Sequence, residues 1–433
     1  MTSTLRRAGG FAAVGTLALA APALGPAAAA PFAVIALLAA FVITDGPLFE
    51  LFARPGDRQD GRLNGLAGFA LAATGLALLA TVPRMTMPVE AFVAAVLVLS
   101  YGNLGAAAVD AGGGQPFRRT TAFTAAAFLA AFAGQVAVAW PAPQYPEFAF
   151  LAASGALVAA LFRAMLFGRD DPLVMLSVGI LLWLLAVLAG DVPVVEVGAA
   201  LALTFLLGYV SYSLGAASVP GMLTGVLLAL LTIVLGGFGW FAVLITFFGV
   251  GALSTKFRYE QKRSQGVAEA NEGARGTGNV LGNAAVALVA LVGFAATPHL
   301  PVGETAFVYA FAGSLATALA DTLSSEIGGL FDGPRLVTTL EPVAPGTDGA
   351  VTWQGELAGA AGASLVALVA VALLPVAGPP AGAVVAVGGV VGMTADSLLG
   401  ATLEGDRLGN QSVNFAATFV GAVVSAALAL LVL

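Results

Sequence analysis

Long apolar stretches follow one another along almost the whole chain, and each is about 16–22 residues long. A helix of that length crosses a bilayer, whereas a membrane barrel strand needs only about ten residues of alternating polarity. Of the 433 residues, 59% are hydrophobic and 9% are charged, compared with roughly 25% charged residues in a soluble domain. The sequence therefore predicts an all-α polytopic membrane protein with about fifteen transmembrane helices.

The positively charged residues determine the predicted orientation. All but one of the 17 Lys and Arg residues fall in one alternating set of loops, and the exception is Arg84. Because loops rich in Lys and Arg remain in the cytoplasm, we expect this set, together with the N-terminus, on the cytoplasmic side of the cell membrane. The polar motifs described below lie in the same loops, so the predicted chemistry is at the cytoplasmic face.

Two segments, the N-terminus and the region around Gly236, leave the predicted helix count open. The N-terminus, with Arg6-Arg7 before an apolar run, is typical of either a first transmembrane helix or a cleaved signal peptide. Further spans are predicted near 29–45 and 65–82. The spans near 220–235 and 237–254 are separated only around Gly236, which predicts either a helical hairpin or one re-entrant element.

Composition excludes several kinds of site. The chain has no Cys, so disulfides and thiolate metal sites are impossible, and the single His, His299, falls in a predicted external loop. No basic stripe suited to nucleic acid is present. Lys is scarce and acidic residues outnumber basic ones, a composition typical of salt-adapted archaeal proteins.

The loops divide the chain into two predicted membrane modules, 1–214 and 215–433. The cytoplasmic loops of the first are modest, whereas those of the second are long and rich in Gly, Asn, Asp and Thr. In the second module Ala320-Asp321-Thr322-Leu323 is similar to Ala395-Asp396-Ser397-Leu398. This similarity indicates either a duplicated helix set, with a site between the copies, or chance.

Three carboxylates are candidates for a metal site. Asp321 and Glu326 lie near the cytoplasmic end of one predicted helix, and Asp396 occupies the matching place on another. Carboxylates at membrane depth are costly and usually functional. Mg²⁺ takes one or two carboxylates together with substrate phosphates, so these residues predict metal or phosphate chemistry. The alternative is that the acids only reach the solvated headgroup region.

A basic loop precedes one of the predicted helices and ends in a Gly-rich turn. It contains Lys256, Lys262 and Arg275, and the helix that follows begins with Asn279 and Asn283 on one face. Cations beside a helix N-terminus favour phosphate binding. The alternative is that the charges only set the orientation. The two asparagines favour a site, because they would otherwise enter lipid as unpaired amides.

Two further segments contain polar candidates. Asp348 lies in the turn Gly346-Thr347-Asp348-Gly349, where it predicts either a contact with metal or ribose hydroxyls or a role in shaping the turn. Beyond Asp396, the residues Glu404, Asp406 and Arg407 are typical of a solvated face, whereas Asn414 begins a helix and is a candidate to face the site.

Together these segments resemble the DUF92/TMEM19 membrane family over about residues 215–433. The resemblance rests on motifs in register along the chain: Thr255-Lys256-Phe257-Arg258-Tyr259-Glu260, Asn271-Glu272-Gly273-Ala274-Arg275, Asn279-Val280-Leu281-Gly282-Asn283, Ala320-Asp321-Thr322-Leu323-Ser324-Ser325-Glu326-Ile327-Gly328, Gly346-Thr347-Asp348-Gly349-Ala350-Val351-Thr352 and Asp396-Ser397-Leu398-Leu399-Gly400-Ala401-Thr402.

The family includes the plant phytyl-phosphate kinase, so the resemblance implies transfer of a phosphoryl group from a nucleoside triphosphate, CTP by analogy, to a lipid-linked isoprenyl monophosphate. We therefore expect Mg²⁺ and the nucleotide as cofactor and co-substrate, and membrane lipids around the helices. The hypothesis assigns catalytic roles to Asp321, Asp396 and Lys256. Mg²⁺ is assigned to Asp321, Glu326 and Asp396, phosphate binding to Lys256, Lys262 and Arg275, and orientation of nucleotide or phosphate to Asn279, Asn283 and Asp348.

The first module weakly resembles the phytol/dolichol kinase and phosphatidate cytidylyltransferase group. The similar segments are Tyr101-Gly102-Asn103-Leu104-Gly105-Ala106-Ala107 and Gly168-Arg169-Asp170-Asp171-Pro172-Leu173. Asn103 stands where that group has an acid, and an amide binds Mg²⁺ more weakly than a carboxylate. This departure predicts a degenerate module that serves as scaffold.

Two other classes of function are compatible with parts of the sequence. Gly-rich helices, the break near Gly236 and the internal similarity are also typical of a transporter or lipid flippase. A polar cavity near the membrane midplane would favour that class, whereas a polar pocket at the cytoplasmic end of the helices would favour the kinase. A non-catalytic membrane scaffold is the third possibility.

Overall fold

The computed structural model describes residues 3–81, 86–166, 170–190, 192–215, 217–266, 275–376, 378–405 and 407–432. Predictions that rest on Arg84, on Gly168 and Arg169, on the segment 267–274 or on Asp406 concern residues outside these ranges. The chain divides into two compact units, Met1–Ala202 and Leu203–Leu433. The boundary between these units falls inside one long helix, Val194–Ser213.

The first unit is built from helices of very different lengths. They are α1 (Ser3–Thr16), α2 (Ala21–Leu24), α3 (Ala30–Phe41), α4 (Gly46–Phe52), α5 (Pro55–Asp60), α6 (Asn64–Leu79), α7 (Val89–Asp110), α8 (Pro116–Val138), α9 (Tyr145–Met165), α10 (Asp171–Leu188) and α11 (Val194–Ser213), which continues into the second unit. Helix α7 contacts α1, α8, α9 and α10. Its residues 91–100 are all buried, so α7 forms the core of this unit.

The second unit follows the same principle with a different central helix. Its elements are α12 (Val219–Gly236), α13 (Phe238–Lys256), α14 (Tyr259–Gln265), α15 (Thr277–Ala295), α16 (Glu304–Gly328), β1 (Arg335–Leu336), β2 (Ala350–Val351), α17 (Trp353–Leu373), α18 (Gly378–Leu403) and α19 (Asn410–Val432). Helix α16 contacts α13, α15, α17, α18 and α19. Strands β1 and β2 pair antiparallel in the loop between α16 and α17.

In the described part of the chain, thirteen helices are long and apolar enough to cross a membrane, or up to fourteen if one bent pair counts as a span. The predicted all-α polytopic class is confirmed. The two predicted spans missing from the thirteen are those near 29–45 and 65–82. The first is bent by 101° between α3 and α4, where Gly46 has a φ of 81° and Pro47 follows. The second is α6, whose 16 residues extend only about 24 Å.

The segment around Gly236 forms two complete helices rather than one re-entrant element. Gly237 separates α12 from α13 with a φ of 89°, a conformation that glycine adopts without strain. Helices α12 and α13 contact one another, and each is long and apolar enough to be a span. Of the two predicted arrangements, the structure therefore has the helical hairpin.

Small residues let the central helices of the second unit approach closely. A Cβ added at Gly313 on α16 or at Gly388 on α18 would overlap the hydroxyl of Ser425 on α19. A Cβ at Gly392 or Gly421 would overlap Thr317 Oγ1. Close backbone approach is a common way for helices to associate in membranes, and here it joins α16, α18 and α19.

Candidate active site

The motif-bearing segments of the second unit meet around one cavity of about 520 Å³. Helices α15, α17 and α19 begin at this end of the unit, and α13, α16 and α18 end there; we call it the motif end. Seven of the predicted site residues line the cavity: Arg275, Asn279, Asn283, Asp321, Glu326, Asp348 and Asp396. Lys256 and Lys262 are not among its lining residues.

Asp321 and Asp396 form a pair on neighbouring helices. Each aspartate lies seven positions before the last residue of its helix, which is Gly328 for Asp321 and Leu403 for Asp396. The two side chains are close enough to share a hydrogen bond. Their equal depth arises because α16 and α18 both pack against α19, through Gly313 and Gly388, each of which precedes its aspartate by eight residues.

Glu326 and Lys262 have a different arrangement from the one predicted. The Lys262 ammonium donates to Glu326 Oε2 at 2.5 Å and to the carbonyls of Ser254 at 2.7 Å and Thr255 at 3.3 Å. These acceptors match the three donors of an ammonium. Lys262 is only 1% exposed. The pair therefore joins α14 to the ends of α13 and α16, which differs from the predicted phosphate contact of Lys262.

The three predicted metal ligands do not form one cluster. Within the described ranges, no three His, Cys, Asp or Glu side chains are grouped so that they could hold a metal ion. Asp321 and Asp396 remain together, whereas Glu326 is engaged by Lys262 although it also lines the cavity. Glu326 follows Asp321 by five residues on α16, and this spacing turns its side chain away from the aspartate pair and toward α14.

Arg275 is held at the cavity by both its backbone and its side chain. Its carbonyl accepts a hydrogen bond from Ser218 N at 3.1 Å and lies so close to Gly221 that any Cβ there would clash. Its guanidinium carbon is 5.4 Å from the centre of the Phe247 ring. These contacts orient the guanidinium into the cavity wall. Lys256, in contrast, is exposed at the end of α13.

The asparagines lie at helix N-termini that open onto the cavity. Asn283 Nδ2 donates to the carbonyl of Asn279 at 2.9 Å, one turn earlier on α15. Asn414 is 7% exposed and lines the cavity from the second turn of α19. The first turns of α15, α17 and α19 also bring the positive ends of three helix dipoles to this cavity. Asn283 and Asn414 were recognisable as amides within otherwise apolar helices.

The loop between α16 and α17 covers the cavity. Its turn around Asp348 packs against the last turn of α18, where a Cβ on Gly349 would overlap the backbone nitrogen of Ala401. Gly349 has a φ of 73°, so glycine meets both requirements. At the base of the loop, Thr352 Oγ1 accepts from Gly355 N at 3.2 Å and donates to the carbonyl of Gly328 at 3.3 Å, which joins α17 to α16.

Glu404 belongs to the cavity, although its sequence context suggests a solvated face. It directly follows α18 and lines the cavity together with Asp348. Burial raises the pKa of Glu404, the charge of Asp348 raises it further, and a hydrogen bond from Asn410 opposes both effects. The loop that folds over α18 creates this environment, and no local sequence signal indicates it.

In the first unit, Asp171 belongs to the segment that resembles the phytol/dolichol kinase group, and its carboxylate is engaged in ion pairs. Asp171 is 2% exposed. Its Oδ2 lies 2.6 Å from Arg54 Nη2, and its Oδ1 lies 3.0 Å from Arg163 Nη1. Two guanidinium groups therefore compensate one buried carboxylate, an arrangement suited to joining α9 and α10 to the segment before α5.

Comparison with known proteins identifies the family. The family model described as integral membrane protein DUF92 matches residues 202–422, just over half of the 433 residues. This chain belongs to the DUF92 family. The DUF92 match begins at the boundary between the two units and includes every residue that lines the cavity.

DUF92 relatives occur in distant organisms. An uncharacterized membrane protein of Methanocaldococcus jannaschii is 36% identical over 199 residues, which are 43% of this chain and 75% of the relative. An uncharacterized membrane protein of Synechocystis is 34% identical over 200 residues, 45% of this chain and 76% of the relative. Protein VTE6, chloroplastic, of Arabidopsis thaliana is 32% identical over 219 residues, 48% of this chain and 64% of the relative. No solved structure matches the chain significantly.

The donor atoms in the DUF92 cavity fit a hard divalent cation such as Mg²⁺. The Asp321–Asp396 pair supplies carboxylate oxygens, and Asp396 Oδ1 is buried with no hydrogen-bond partner in the part of the chain that the structure describes. Mg²⁺ is usually held by one or two carboxylates with substrate phosphates and water completing its shell, so two aspartates are sufficient.

Proposed function

We propose that this DUF92 protein transfers a phosphoryl group from a nucleoside triphosphate, CTP by analogy, to an isoprenyl monophosphate at the cytoplasmic face of the membrane. The products would be the isoprenyl diphosphate and a nucleoside diphosphate. The observation that carries the proposal is the meeting of Asp321 and Asp396 in a polar cavity at the end of an apolar helix bundle. The resemblance to a family that includes the plant phytyl-phosphate kinase supports the same reaction.

The reaction forms one P–O bond and breaks another. A phosphate oxygen of the isoprenyl monophosphate attacks the γ-phosphorus of the triphosphate, and the bond from that phosphorus to the β–γ bridging oxygen breaks. The nucleoside diphosphate leaves with the bonding electrons. Because the acceptor phosphate is already anionic, no base has to remove a proton, which agrees with a chain that has no Cys and a single His. Such reactions depend mainly on positioning and on charge neutralisation.

The two aspartates have one role in this proposal. Asp321 and Asp396 would hold Mg²⁺, which when bound neutralises phosphate charge and polarises the phosphoryl oxygens. Their equal depth, fixed by the packing of α16 and α18 against α19, keeps the two carboxylates at a constant separation. The alternative of acids that only reach solvent is disfavoured because Asp396 Oδ1 is buried and has no hydrogen-bond partner within the described ranges.

The cationic and amide groups would bind the phosphates. The Arg275 guanidinium, oriented by Phe247, is suited to bidentate phosphate recognition. Backbone N–H groups at the starts of α15, α17 and α19 add donors and dipoles that favour anions. Asn279 and Asn283 would orient nucleotide or phosphate, and Asp348 would contact the ribose from the loop. Lys256 remains a proposed phosphate contact from the exposed end of α13, and Lys262 supports the site through Glu326.

The depth of the cavity favours an enzyme over a transporter. Seven residues of helix correspond to about 10 Å, so the aspartates lie near the end of α16 and α18 rather than at the middle of the bundle. A lipid phosphate at the headgroup level can reach that depth while its isoprenyl chain stays among apolar helices. A transport site would be expected near the midplane.

The proposal is tested by direct assay of the purified full-length chain in detergent micelles. Phytyl or geranylgeranyl monophosphate, Mg²⁺ and each γ-labelled triphosphate are supplied, and the labelled lipid is separated by chromatography. We expect labelled diphosphate with at least one donor and a loss on the order of 100-fold or more in Asp321→Asn and Asp396→Asn. Glu341→Gln, in the same loop as Asp348 but outside the cavity lining, serves as the matched control. If no donor yields diphosphate, the proposed reaction is incorrect.

A further inference from the structure

Three residues that line the cavity each have a buried side-chain oxygen with no hydrogen-bond partner among the described residues. These oxygens are Asn279 Oδ1 on α15, Asp396 Oδ1 on α18 and Asn414 Oδ1 on α19. An unpaired buried acceptor costs roughly 1–3 kcal/mol, so three around one cavity are unusual unless a ligand completes them. All three atoms are acceptors, so a ligand that completes them must supply positive charge or hydrogen-bond donors.

Asn414 lies at the same depth as Asp396. Helices α18 and α19 are antiparallel, and Gly388 packs against Gly421 and Ser425. Moving eight residues from Gly388 to Asp396 on α18 corresponds to moving back by eight on α19, from residues 421–425 to 413–417. Asn414 is within that range and lines the same cavity.

Asn414 also lies at the depth of Asp321. Gly313 on α16 also packs against Gly421 and Ser425, and Asp321 follows Gly313 by eight residues, so it too faces positions 413–417 of α19. On the other side of α19, a Cβ added at Gly278 or Gly282 of α15 would contact Gln411. Asn279, beside Gly278, therefore lies within about one helical turn of the same depth.

The chemistry of the oxygens favours a divalent cation. Amide and carboxylate oxygens are the ligands of Mg²⁺ and Mn²⁺. A third carboxylate would add repulsion to the Asp321–Asp396 pair, whereas an amide supplies an oxygen without charge. This explains how a cation site can exist although, in the described ranges, no three His, Cys, Asp or Glu side chains are placed so that they could hold a metal ion.

We propose that Asn414 and Asn279 supply amide oxygens to the divalent cation held by Asp321 and Asp396, which makes the centre a mixed aspartate–asparagine site. The inference rests on the proposed function, because that function requires the cation. It assigns ligand roles to two amides and leaves the Lys262–Glu326 pair as support for the surrounding helices.

The test measures Mn²⁺ binding to the full-length protein in micelles, with free Mn²⁺ followed by electron paramagnetic resonance and no nucleotide or lipid present. We expect Asn414→Ala and Asn279→Ala each to weaken Mn²⁺ affinity at least about tenfold. Asn414→Asp and Asn279→Asp keep an oxygen ligand and should bind within about threefold of the wild-type affinity or more tightly.

Two controls separate a ligand role from a folding defect. Asn410→Ala changes an asparagine that lies on the same helix and lines the same cavity, but whose side chain already bonds to Glu404. The Mn²⁺ affinity of this variant should stay within about twofold of the wild-type affinity. The melting temperature of each variant is measured in parallel. If an alanine variant fails to fold, the comparison between wild type and the aspartate variant still tests the ligand role, because a merely structural asparagine would not tolerate a buried charge.

The outcomes distinguish this inference from the proposed function. If Asp396→Asn abolishes Mn²⁺ binding while both alanine variants bind normally, the amide ligands are excluded and the proposed kinase remains. If wild-type protein binds no Mn²⁺ but forms diphosphate in an assay without any divalent cation, the cation centre is excluded as a whole. Absence of both binding and turnover would overturn the inference and the function together.

Discussion

Lys262 Nζ lies 2.5 Å from Glu326 Oε2, and both side chains are buried beneath the short helix α14. The same ammonium caps two carbonyls at the end of α13. One side chain therefore joins three helices next to the cavity. This relationship is the reason why we assign Lys262 a positioning role in the proposed site.

Replacement of Lys262 by Met should strongly destabilise the second unit. The change leaves Glu326 as a buried charge without its partner, which costs about 3–5 kcal/mol, and leaves two carbonyls unsatisfied. The free energy of unfolding is measured by denaturant titration in micelles. The double variant Lys262→Met/Glu326→Leu should recover much of the loss, whereas Arg263→Met, on the exposed side of α14, should change stability by less than about 0.5 kcal/mol. Strictly additive effects in the double variant would contradict this account.

Arg275→Lys should impair phosphate binding more than folding. Lysine keeps the charge but loses the planar guanidinium that lies over Phe247 and can contact two phosphate oxygens. We expect the KM for the nucleoside triphosphate to rise about tenfold or more, with a smaller change in kcat. Arg335→Lys is the matched control, because that exposed side chain bonds only the nearby carbonyl of Leu340 among the contacts described. An unchanged KM in Arg275→Lys would exclude the phosphate role.

Gly349→Ala should displace the loop that covers the cavity. Alanine at this position must adopt a φ of 73° and must also push its Cβ against the backbone of Ala401. Gly333→Ala is a matched control, because Gly333 has a φ of 75° but no atom within contact distance of an added Cβ. We expect Gly333→Ala to cost only about 1–2 kcal/mol of local strain. Limited proteolysis of the loop should be much faster in Gly349→Ala, and equal rates in the two variants would show that the contact with Ala401 is unimportant.

Glu404→Gln should remove a pH-dependent loss of stability. The folded-state pKa of Glu404 is raised above its ordinary value of 4.5, mainly by burial. Between the ordinary and the raised pKa, the folded protein holds more protons at this carboxyl than the unfolded chain does, so its stability falls as pH rises through that window. The melting temperature of Glu404→Gln relative to wild type should therefore increase from pH 4 to pH 7. A difference that stays constant or decreases would contradict the raised pKa.

Most of the bundle follows from patterns that act within a single helix. The apolar runs determine the spans, and the repeated Ala-Asp-Thr/Ser-Leu pattern correctly directs attention to two aspartates that the structure brings together. Local chemistry also accounts for the main departure, since Asp45-Gly46-Pro47 is a recognisable break at the end of the predicted span 29–45. Such features can be predicted without knowing which helices are neighbours.

The remaining features depend on contacts between distant segments. Sequence spacing alone makes Glu326 as plausible a metal ligand as Asp321, and only the position of α14 gives Glu326 a lysine partner. Glu404 is in a charged, Gly-containing segment typical of solvent, yet the loop around Asp348 folds over it. In both cases the decisive neighbour is encoded about 55–65 residues away, beyond the reach of any local pattern.

The seam of small residues along α19 has a mechanical consequence. Gly313 and Gly388 pack on the same two positions, Gly421 and Ser425, about two helical turns from their aspartates. If α19 tilts when bilayer thickness changes, both α16 and α18 are carried with it, and neither can slide against the other without opening this contact. We therefore expect the spacing of the two carboxylates to be independent of lipid composition.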